Sequence, residues 1–371
     1  MNVGITCYPT VGGSGVVATE LGIELARRGH TVHFISYALP TRLTLLHERL
    51  RFHEVATTPY PLFGDYRPYT LALASKMVEV AQHEELDVLH VHYAIPHAIS
   101  AFIAKQILGE HGPKVITTLH GTDITIVGRD PSYLPITKYG IEVSDGVTAV
   151  SRSLRDDTIG HFGTTKPIEV IPNFVAPARF HRREGEGPFF SCGRKIVCHA
   201  SNFRKVKRIE DVLEIFLRVQ KKVPSRLVML GDGPERPMAE AFVRDHDLED
   251  DVFFIGHVSN VEEAFGSIDL FLLPSETESF GMTALEALAS EVPVIASHAG
   301  GLPEVVIDGE MGYLRPVGDV DGMAERAIEI LSNDPLRERM GKAGRAWAIE
   351  QFDTAKIIPR YTEYYEKVLA S

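Results

Sequence analysis

The chain has 371 residues, of which 44% are hydrophobic and 24% are charged. This is the composition of a globular protein, and the length suffices for two domains. A formal net charge of −12 at pH 7 argues against a general nucleic-acid binder, which would carry a basic surface. No apolar run approaches the roughly 18 residues that a membrane-spanning helix needs, so we expect neither a nucleic-acid nor a membrane partner.

Cysteine usage points to a reducing compartment. The chain has three cysteines, Cys7, Cys192 and Cys198, which is an odd number, and no C-x-x-C pair occurs. A disulfide framework is therefore not expected. The first residues, MNVGITCYP, lack the charged and apolar regions of a signal peptide. The sequence thus predicts a cytoplasmic protein.

A pattern of strands alternating with helices runs through the first half of the chain. The segment VVATELGIELARR has apolar residues at helical spacing, and Gly29 is its expected end. The short apolar runs around it are typical of buried parallel strands. These predicted strands are NVGITC, TVHFIS, DVLHVH, KVITTLHG, DGVTAVS and IEVIPN.

The alternation lapses in the charged, glycine-rich stretch FHRREGEGPFFSCGR and then restarts. Predicted strands of the second half are KIVCHAS, RLVMLGDG, VFFIG, DLFLLP and VPVIAS, and two helices close the chain. The prediction is an α/β protein with two Rossmann-like, doubly wound parallel-sheet domains facing a cleft. Its parts are an N-terminal domain of residues 1–175 joined by a C-terminal helix at about 353–371, a linker of 176–194, and a second domain of 195–352.

The segment PSETESFGMTALEALASEVPVIAS, residues 274–297, predicts a strand, a turn, a helix and a strand. Glu278 falls in the turn, Gly281 near the helix start and Glu286 on the second helical turn. A helix N-terminus offers unpaired N–H groups to a phosphate. The two carboxylates would instead accept hydrogen bonds from hydroxyl pairs on either side of that phosphate. The alternative is that Glu278 only balances the helix dipole and that Glu286 is solvated.

Two loops that follow predicted strands have the chemistry of phosphate sites. The glycines of VGGSG, residues 11–15, let backbone N–H groups approach a phosphate. The loop lacks the G-x-G-x-x-G spacing of a dinucleotide site and the G-K-[ST] of a Walker motif, so NAD binding is disfavoured. The alternative is a tight turn that only packs.

The loop SNFRKVKRIED concentrates cations at the end of the first strand of the second half. Because loops at strand ends line the ligand cleft of such sheets, we expect Arg204 and Lys207 to neutralise a departing diphosphate. A solvated run of charges is the alternative. Gly231, Gly233, Gly256 and His257, at two further strand ends, are weaker candidates.

Histidines gather at strand ends of the first half, namely His90, His92, His97 and His120. No acidic or cysteine partner stands at ligand spacing, so a metal site is not expected there. His120 either donates a hydrogen bond to a sugar hydroxyl or is a satisfied core histidine.

The motifs VGGSG, SNFRKVKR, GDGPE, SETESFGMTALEALASEVPVIAS and GGLPEVV occur in this order. With them the chain resembles the retaining family-4 glycosyltransferases of the GT-B fold over nearly its full length. The segments GITCYPTVGGSGVVATELG, HYAIPHA and TTLHGTDIT look like those of members that transfer N-acetylglucosamine from UDP-GlcNAc to L-malate, the first step of bacillithiol synthesis. One departure is that Ser201 and Asn202 stand where many relatives have Gly-Arg.

The resemblance implies roles for particular residues. Glu286 would bind the ribose of UDP, Glu278 the sugar hydroxyls, and the amides around Phe280 the diphosphate. The implied catalytic residues are Arg204, Lys207, Glu278 and His120. The implied donor-binding residues are Gly13, Ser14, Gly15, Asn202, Gly231, Gly256, His257, Ser279, Phe280, Gly281, Met282 and Glu286.

The acceptor is expected in the first domain. Because malate is a small dianion, cations and N–H or O–H donors should converge on it. The candidates are Tyr93, Thr118, Thr122, Lys138 and Arg129. No cofactor or metal ion is required in this scheme.

Two other functions remain open at this stage. One is a transferase of the same fold with another donor or acceptor, such as mannosyl or glucosyl transfer to a lipid or to inositol phosphate. The other is a nucleotide-sugar-binding protein without catalysis. The sequence also leaves open a homodimer or higher homo-oligomer.

Overall fold

A computed structural model describes residues 1–9, 12–43, 47–62, 64–183, 193–258 and 260–371. The chain forms two compact units, Met1–Asn173 with Ala355–Ser371, and Phe174–Thr354. Val11 of the glycine loop, Cys192 and residues 184–192 of the predicted linker lie outside the described residues. The described parts of that linker belong to the second unit.

Each unit is built on one parallel sheet. The strands of the first unit are β1 (Asn2–Thr6), β2 (Thr31–Ser36), β3 (Leu50–Glu54), β4 (Val88–His92), β5 (Lys114–Leu119), β6 (Gly146–Ala149) and β7 (Ile168–Val170). Those of the second unit are β8 (Lys195–Ala200), β9 (Ser225–Leu230), β10 (Val252–Gly256), β11 (Leu270–Leu273), β12 (Val294–Ser297) and β13 (Gly312–Arg315).

Helices cover these sheets. In chain order they are α1 (Gly13–Arg27), α2 (Tyr69–Glu84), α3 (Ile99–Leu108), α4 (Leu134–Val143), α5 (Arg152–Phe162), α6 (Ile209–Gln220), α7 (Arg236–Asp245), α8 (Val261–Phe265), α9 (Met282–Ala289), α10 (Leu302–Val305), α11 (Val320–Leu331), α12 (Asp334–Phe352) and α13 (Thr354–Leu369). Short turns of 3-10 or π helix lie at Ala94–Ala98, Gly109–His111, Thr122–Ile126, Val127–Arg129 and Lys205–Lys207.

The strand order is doubly wound in both units. It is β3-β2-β1-β4-β5-β6-β7 in the first and β10-β9-β8-β11-β12-β13 in the second. The chain therefore reverses its direction of winding beside β1 and β4, and again beside β8 and β11. Ligands of such sheets bind where the winding reverses, at the carboxyl ends of the strands. The predicted α/β fold with two Rossmann-like domains is confirmed.

The last helix returns to the first unit, as the sequence predicts. Tyr361 and Tyr365 of α13 are fully buried. Tyr365 Oη lies 2.7 Å from His90 Nδ1, and Tyr364 Oη accepts a hydrogen bond of 2.9 Å from the Val147 amide. These contacts fix α13 against β4 and β6.

The core of the second unit shows why its sequence folds in this way. Buried residues of α6 recur at helical spacing, and they pack with apolar strand residues such as Leu227 and Leu270. None of the helices in the described ranges is long and apolar enough to cross a membrane.

Candidate active site

Two loops of the second unit meet where its sheet reverses winding. The register pairs Leu270 of β11 with Val197 of β8 in parallel, so the carboxyl ends of these strands are adjacent. The basic loop follows β8, and the turn that carries Glu278 follows β11. The Glu276 amide donates a hydrogen bond of 2.8 Å to the Val206 carbonyl, which joins the two loops.

Lys207 and Glu278 form an ion pair between these loops. Lys207 Nζ lies 2.5 Å from Glu278 Oε1, and the Ser275 hydroxyl donates a hydrogen bond of 2.9 Å to the same oxygen. The side chains are 20% and 13% exposed, respectively, so solvent screens the pair only in part. The alternative of a fully solvated charge run does not apply to Lys207. Arg204, by contrast, is exposed.

His199 lies beneath this pair at the end of β8 and was not singled out by the sequence. Its Nδ1 lies 2.9 Å from the Leu272 carbonyl and must donate to it, so Nε2 accepts from the Ser201 hydroxyl at 2.8 Å. Burial lowers the pKa of His199 to about 4, which keeps the ring neutral. A neutral imidazole therefore fixes the start of the basic loop.

The start of α9 requires a glycine. Gly281 has a φ of 95°, and a Cβ there would lie 2.6 Å from Leu302 Cδ2. Gly281 is the N-cap residue and has no side chain, so it offers no side-chain acceptor to the first N–H groups of the helix. Phe280 is buried with its ring 5.6 Å from that of Phe352, and Met282 is half-buried.

Glu286 is buried on α9, with only 4% of its surface exposed. The alternative of a solvated helix residue is therefore excluded. The position of Glu286 on the second turn of α9 is compatible with the predicted role in binding hydroxyls.

Two glycines after β12 shape the turn that carries Glu278. A Cβ at Gly300 would overlap the Glu278 carbonyl oxygen, and one at Gly301 would overlap that of Ser279. The Gly301 amide also donates a hydrogen bond of 2.8 Å to the Glu278 carbonyl. The GG of GGLPEVV thus holds the backbone of the turn in place.

The remaining predicted donor residues surround the loop after β8. Gly231 has a φ of 107°, and a Cβ there would overlap the Ser201 carbonyl oxygen. Its amide donates a hydrogen bond of 2.8 Å to the carbonyl of Gly256. Asn202 and His257 are exposed. The structure therefore brings the loop ends at Ser201, Gly231 and Gly256 together. Close packing against Ser201 explains why residue 231 is a glycine.

In the first unit, the loops after β1 and β4 meet in the same manner. Helix α1 begins at Gly13 without a side-chain cap, and Gly13 is exposed. Ser14 Oγ lies 2.5 Å from Tyr93 Oη, and the Tyr93 amide donates a hydrogen bond of 2.9 Å to the Thr118 carbonyl. Gly15 is buried under the first turn of α1.

A row of histidines runs from the core of the first unit to this loop pair. His90 and His92 stack at 4.6 Å, and His92 stacks on His120 at 5.0 Å. His92 Nδ1 lies 2.7 Å from His120 Nε2, and His97 Nδ1 donates to the His92 carbonyl at 2.5 Å. The half-buried His120 ring lies 5.4 Å from that of Tyr93. His120 thus joins a core network that ends at Tyr93.

Asp123 follows this row and was missed by the sequence. It is 2% exposed, and its oxygens accept hydrogen bonds from the amides of Ala94 at 2.9 Å and Gly121 at 3.0 Å. Burial raises the pKa of Asp123 to about 6, against the lowering effect of these amides. The carboxylate joins the loops after β4 and β5.

We expect acid to destabilise the first unit. Burial lowers the pKa of His90 and His120 to about 3 and that of His97 to about 4. As the pH falls below 6.5, these histidines bind protons in the unfolded chain but not in the folded chain. The free energy of unfolding therefore decreases. Asp123 has the opposite effect, because its raised pKa lets the folded chain bind a proton that the unfolded chain does not yet bind. This offsets the contribution of one histidine.

At about 1.4 kcal/mol per proton and pH unit, these three histidines less Asp123 should lower the free energy of unfolding by about 3 kcal/mol per unit between about pH 6 and 4.5. Burial also lowers the pKa values of His92 and His33, which add to this fall.

Denaturant midpoints measured across this pH range test the expectation. The variant His97→Asn, whose amide keeps a donor near the His92 carbonyl, should show a shallower slope. His83→Asn is the matched control, because exposed His83 also bonds a backbone carbonyl, that of Glu79. Equal slopes for both variants would contradict the assignment.

The other predicted acceptor residues have differing surroundings. The Thr118 hydroxyl is buried between His90 Nε2 at 2.7 Å and Thr148 Oγ1 at 2.6 Å. Thr122 and Arg129 are exposed, and Lys138 is half-buried. No hydrogen bond or ion pair among the described residues joins these last three to Tyr93 or Ser14.

A cavity of about 420 Å³ opens at the carboxyl ends of β2 and β3. Tyr37, Glu54, Arg67 and Tyr69 contribute to its wall. Tyr69 Oη lies 3.5 Å from His97 Nε2, so the cavity adjoins the histidine row. Sequence patterns gave no signal for it, because its wall includes β3, which the sequence did not predict.

Comparisons with known proteins fit this geometry. Residues 11–179 match the model of Glycosyltransferase Family 4, and residues 187–347 match that of Glycosyl transferases group 1. The chain is 48% identical to N-acetyl-alpha-D-glucosaminyl L-malate synthase of Bacillus anthracis over 373 aligned residues, covering 100% of this chain and 97% of that protein. The chain belongs to the family-4 glycosyltransferases.

One further relative supports this assignment, and two solved structures show the fold. The 2-deoxystreptamine N-acetyl-D-glucosaminyltransferase of Niallia circulans is 31% identical, with 96% of this chain and 97% of that protein aligned. Sucrose-phosphate synthase from Thermosynechococcus elongatus has the same fold, with a TM-score of 0.82 over 100% of this chain and 99% of that one at 22% identity. HepE from Anabaena, solved with UDP and glucose, has a TM-score of 0.80 over 98% and 99% at 19% identity. The predicted GT-B fold of this glycosyltransferase is confirmed.

Proposed function

We propose that this glycosyltransferase moves N-acetylglucosamine from UDP-GlcNAc to the hydroxyl of L-malate and releases UDP, which is the first step of bacillithiol synthesis. The observation that carries the proposal is the 48% identity to a GlcNAc-malate synthase over the full chain. Lys207 and Glu278, which pair where the second sheet reverses winding, provide a cation for the diphosphate and a carboxylate for the sugar hydroxyls.

The donor is held by the second unit. The buried Glu286 accepts the ribose hydroxyls, and the open N-terminus of α9 at Gly281 receives the diphosphate. Glu278 accepts hydroxyls of the transferred sugar. The same donor site of the second unit includes Ser279, Phe280, Met282, Asn202, Gly231, Gly256 and His257. In the first unit, the amides of Gly13, Ser14 and Gly15 are proposed to bind phosphate.

The ion pair explains how one site serves both a sugar and a diphosphate. Without substrate, Lys207 Nζ and Glu278 Oε1 satisfy each other at 2.5 Å. A diphosphate draws the ammonium away, which frees the carboxylate for a sugar hydroxyl. Binding the donor thus replaces the Lys207–Glu278 ion pair by an ion pair between Lys207 and the diphosphate, and the Glu278 carboxylate receives hydrogen bonds from sugar hydroxyls in its place.

The transfer proceeds with retention. The bond from the anomeric carbon to the β-phosphate oxygen breaks, and the malate hydroxyl oxygen attacks from the same face. Its proton passes to the departing phosphate oxygen, so no protein base is needed. Lys207 and the exposed Arg204 stabilise the negative charge that develops on UDP. The reaction proceeds without a metal ion or other cofactor.

The acceptor is bound by the first unit. Ser14 and Tyr93 offer hydroxyls, and His120 offers a ring nitrogen beside them. Thr118 contributes through its carbonyl, which holds the Tyr93 amide at 2.9 Å. The malate carboxylates pair with the cations of Lys138 and Arg129 and accept a hydrogen bond from the Thr122 hydroxyl. Cytoplasmic residence is part of the proposal, and the buried free thiols of Cys7 and Cys198 are consistent with it.

We expect Tyr93→Phe to weaken the acceptor more than the donor. Removing Oη deletes one hydrogen bond to malate and the bond to Ser14. The KM for malate should rise about tenfold, the effect of about 1.4 kcal/mol, while the KM for UDP-GlcNAc stays within about twofold. Tyr139→Phe is the control, because Tyr139 is exposed on α4. An unchanged malate KM would remove Tyr93 from the acceptor site.

An assay of the released nucleoside diphosphate, UDP or GDP, on the purified chain tests the proposed function. UDP-GlcNAc, UDP-glucose and GDP-mannose are each offered with L-malate, other hydroxy acids, inositol phosphate and 2-deoxystreptamine. We expect UDP release with UDP-GlcNAc and L-malate and little with the other pairs. No release with that pair overturns the proposal. Loss of activity in EDTA, restored by a divalent ion under conditions in which EDTA leaves the Tm unchanged, overturns the metal-free mechanism.

A further inference from the structure

Three potential metal ligands from three elements meet at the edge of the first sheet, outside the site described above. His33 lies on β2, His53 on β3 and Glu84 at the end of α2. His33 Nδ1 lies 3.0 Å from His53 Nε2 and 4.0 Å from Glu84 Oε2. One ligand atom from each residue falls within a common span of 4.8 Å.

The fold places these side chains on one face. In the parallel register His53 lies opposite Ile35, two residues beyond His33. Because strand side chains alternate, His33, Ile35 and His53 all point to the face that α2 covers. Ile35 packs in a core with Leu73 and Met77 of α2, and the same helix ends at Glu84 beside the two imidazoles.

Both rings are in the state that metal binding requires. Burial lowers the pKa of His33 to about 4, and burial also lowers that of His53. The rings are therefore neutral at pH 7, and each offers a nitrogen lone pair. The His33 side chain is 2% exposed and that of Glu84 40%, so the pair is covered while the carboxylate can still rotate.

The neighbouring charges permit a cation. Lys76 and Arg51 are the nearby positive groups, and Glu79 and Glu84 are the negative ones. The Lys76 ammonium is held by Glu79 at 2.7 Å, and Arg51 donates to backbone carbonyls. Glu84 forms no such short pair, since its nearest basic nitrogen among the described residues is that of His33.

We propose that His33, His53 and Glu84 bind one divalent transition-metal ion with the preferences of Zn²⁺, with water completing a four-coordinate shell. Zn–N bonds of about 2.0–2.1 Å in a tetrahedron separate two nitrogens by about 3.3 Å. The present 3.0 Å therefore needs to open by only a few tenths of an ångström. One of the two imidazoles now donates the hydrogen that lies between His33 Nδ1 and His53 Nε2. When the ion binds, this hydrogen moves to the other nitrogen of the same ring, so both rings stay neutral.

The ion would stabilise the fold and take no part in the transfer reaction. β3 is the edge strand of its sheet and is exposed or half-buried along its length. One ion joins it to β2 and to α2, which stabilises the folded chain whenever the site is filled. The inference does not depend on the proposed reaction.

The test uses the untagged full chain, stripped of metal, titrated with Zn²⁺ against a chromophoric chelator, together with thermal unfolding with and without Zn²⁺. We expect one Zn²⁺ per chain and a higher Tm when it binds. His53→Gln and Glu84→Gln should each weaken binding by at least about tenfold and abolish the Tm shift. Glu84→Gln changes a partly exposed side chain, so it keeps the test valid if His53→Gln folds poorly.

His246→Gln is the control, because His246 is an exposed histidine that stacks on Phe242 in the second unit. It should bind Zn²⁺ as the unchanged protein does. The proposal is overturned if the unchanged chain binds no Zn²⁺, or if Glu84→Gln and His246→Gln bind it with equal affinity.

Discussion

Replacing Lys207 with alanine is expected to lower kcat by about 10²–10³-fold, which is the effect of removing one group that stabilises developing charge. In the proposed mechanism Lys207 pairs with the diphosphate when the donor binds, and this interaction strengthens as negative charge accumulates on the departing UDP. Donor affinity should change much less, because the N-terminus of α9 and Glu286 are untouched. Stopped-time assays at saturating malate give kcat, and calorimetric titration with UDP-GlcNAc in the absence of malate gives the donor affinity.

The matched control for this prediction is Lys205→Ala. Lys205 lies in the same short turn, Lys205–Lys207, but is exposed and has no acidic partner among the described residues. It should retain kcat within about twofold, as surface changes usually do. Equal losses from both variants would mean that the loop contributes general positive charge. An unchanged kcat in Lys207→Ala would reject the catalytic role.

Because Lys207→Ala also strips Glu278 of its partner, Tm is measured alongside activity. The double variant Lys207→Ala with Glu278→Gln separates the two effects. If charge stabilisation is the role of Lys207, the double variant stays as slow as the single one. Recovery of kcat would show instead that the unpaired carboxylate repels the diphosphate.

Gly300→Ala is expected to have the second large effect, on both stability and turnover. The residue has a φ of 54°, and a Cβ would overlap the Glu278 carbonyl oxygen. The turn must therefore move, and Glu278 and Ser279 move with it. We expect a loss of about 2–4 kcal/mol in the free energy of unfolding and at least about a 100-fold loss in kcat/KM.

Gly309→Ala separates backbone strain from displacement of the turn. Gly309 has a φ of 79°, but a Cβ there would meet nothing within 4 Å. It should cost about 1 kcal/mol of stability and leave kcat/KM unchanged. The displacement argument fails if the two variants lose activity to the same extent in protein that remains folded.

Local patterns predicted most of the secondary structure because burial imposes a period on each element. The strand VFFIG is observed with the predicted bounds, as β10, and the two helices predicted to close the chain are α12 and α13. The strands β3 and β13 were missed. Both are edge strands with one neighbour each, and neither is buried throughout, so LRFHE and GYLR lack the continuous apolar run of an inner strand.

The sequence by itself determined the family, the doubly wound units and the type of chemistry. It also predicted Glu278, Glu286 and Lys207 as site residues, because carboxylates and cations near strand ends suggest hydroxyl and phosphate binding. The resemblance of the motifs to family-4 glycosyltransferases then assigned a role to each.

Only the tertiary structure decided which of these groups meet. Lys207 and Glu278 are 71 residues apart in the chain, and they pair because β8 and β11 are neighbours in the sheet. His199 and Asp123 look in sequence like any polar residue at a strand end, and their roles depend on partners from other strands. A sequence pattern records the preferences of each residue along the chain, whereas a site is formed by distances across a sheet, which only the order of its strands fixes.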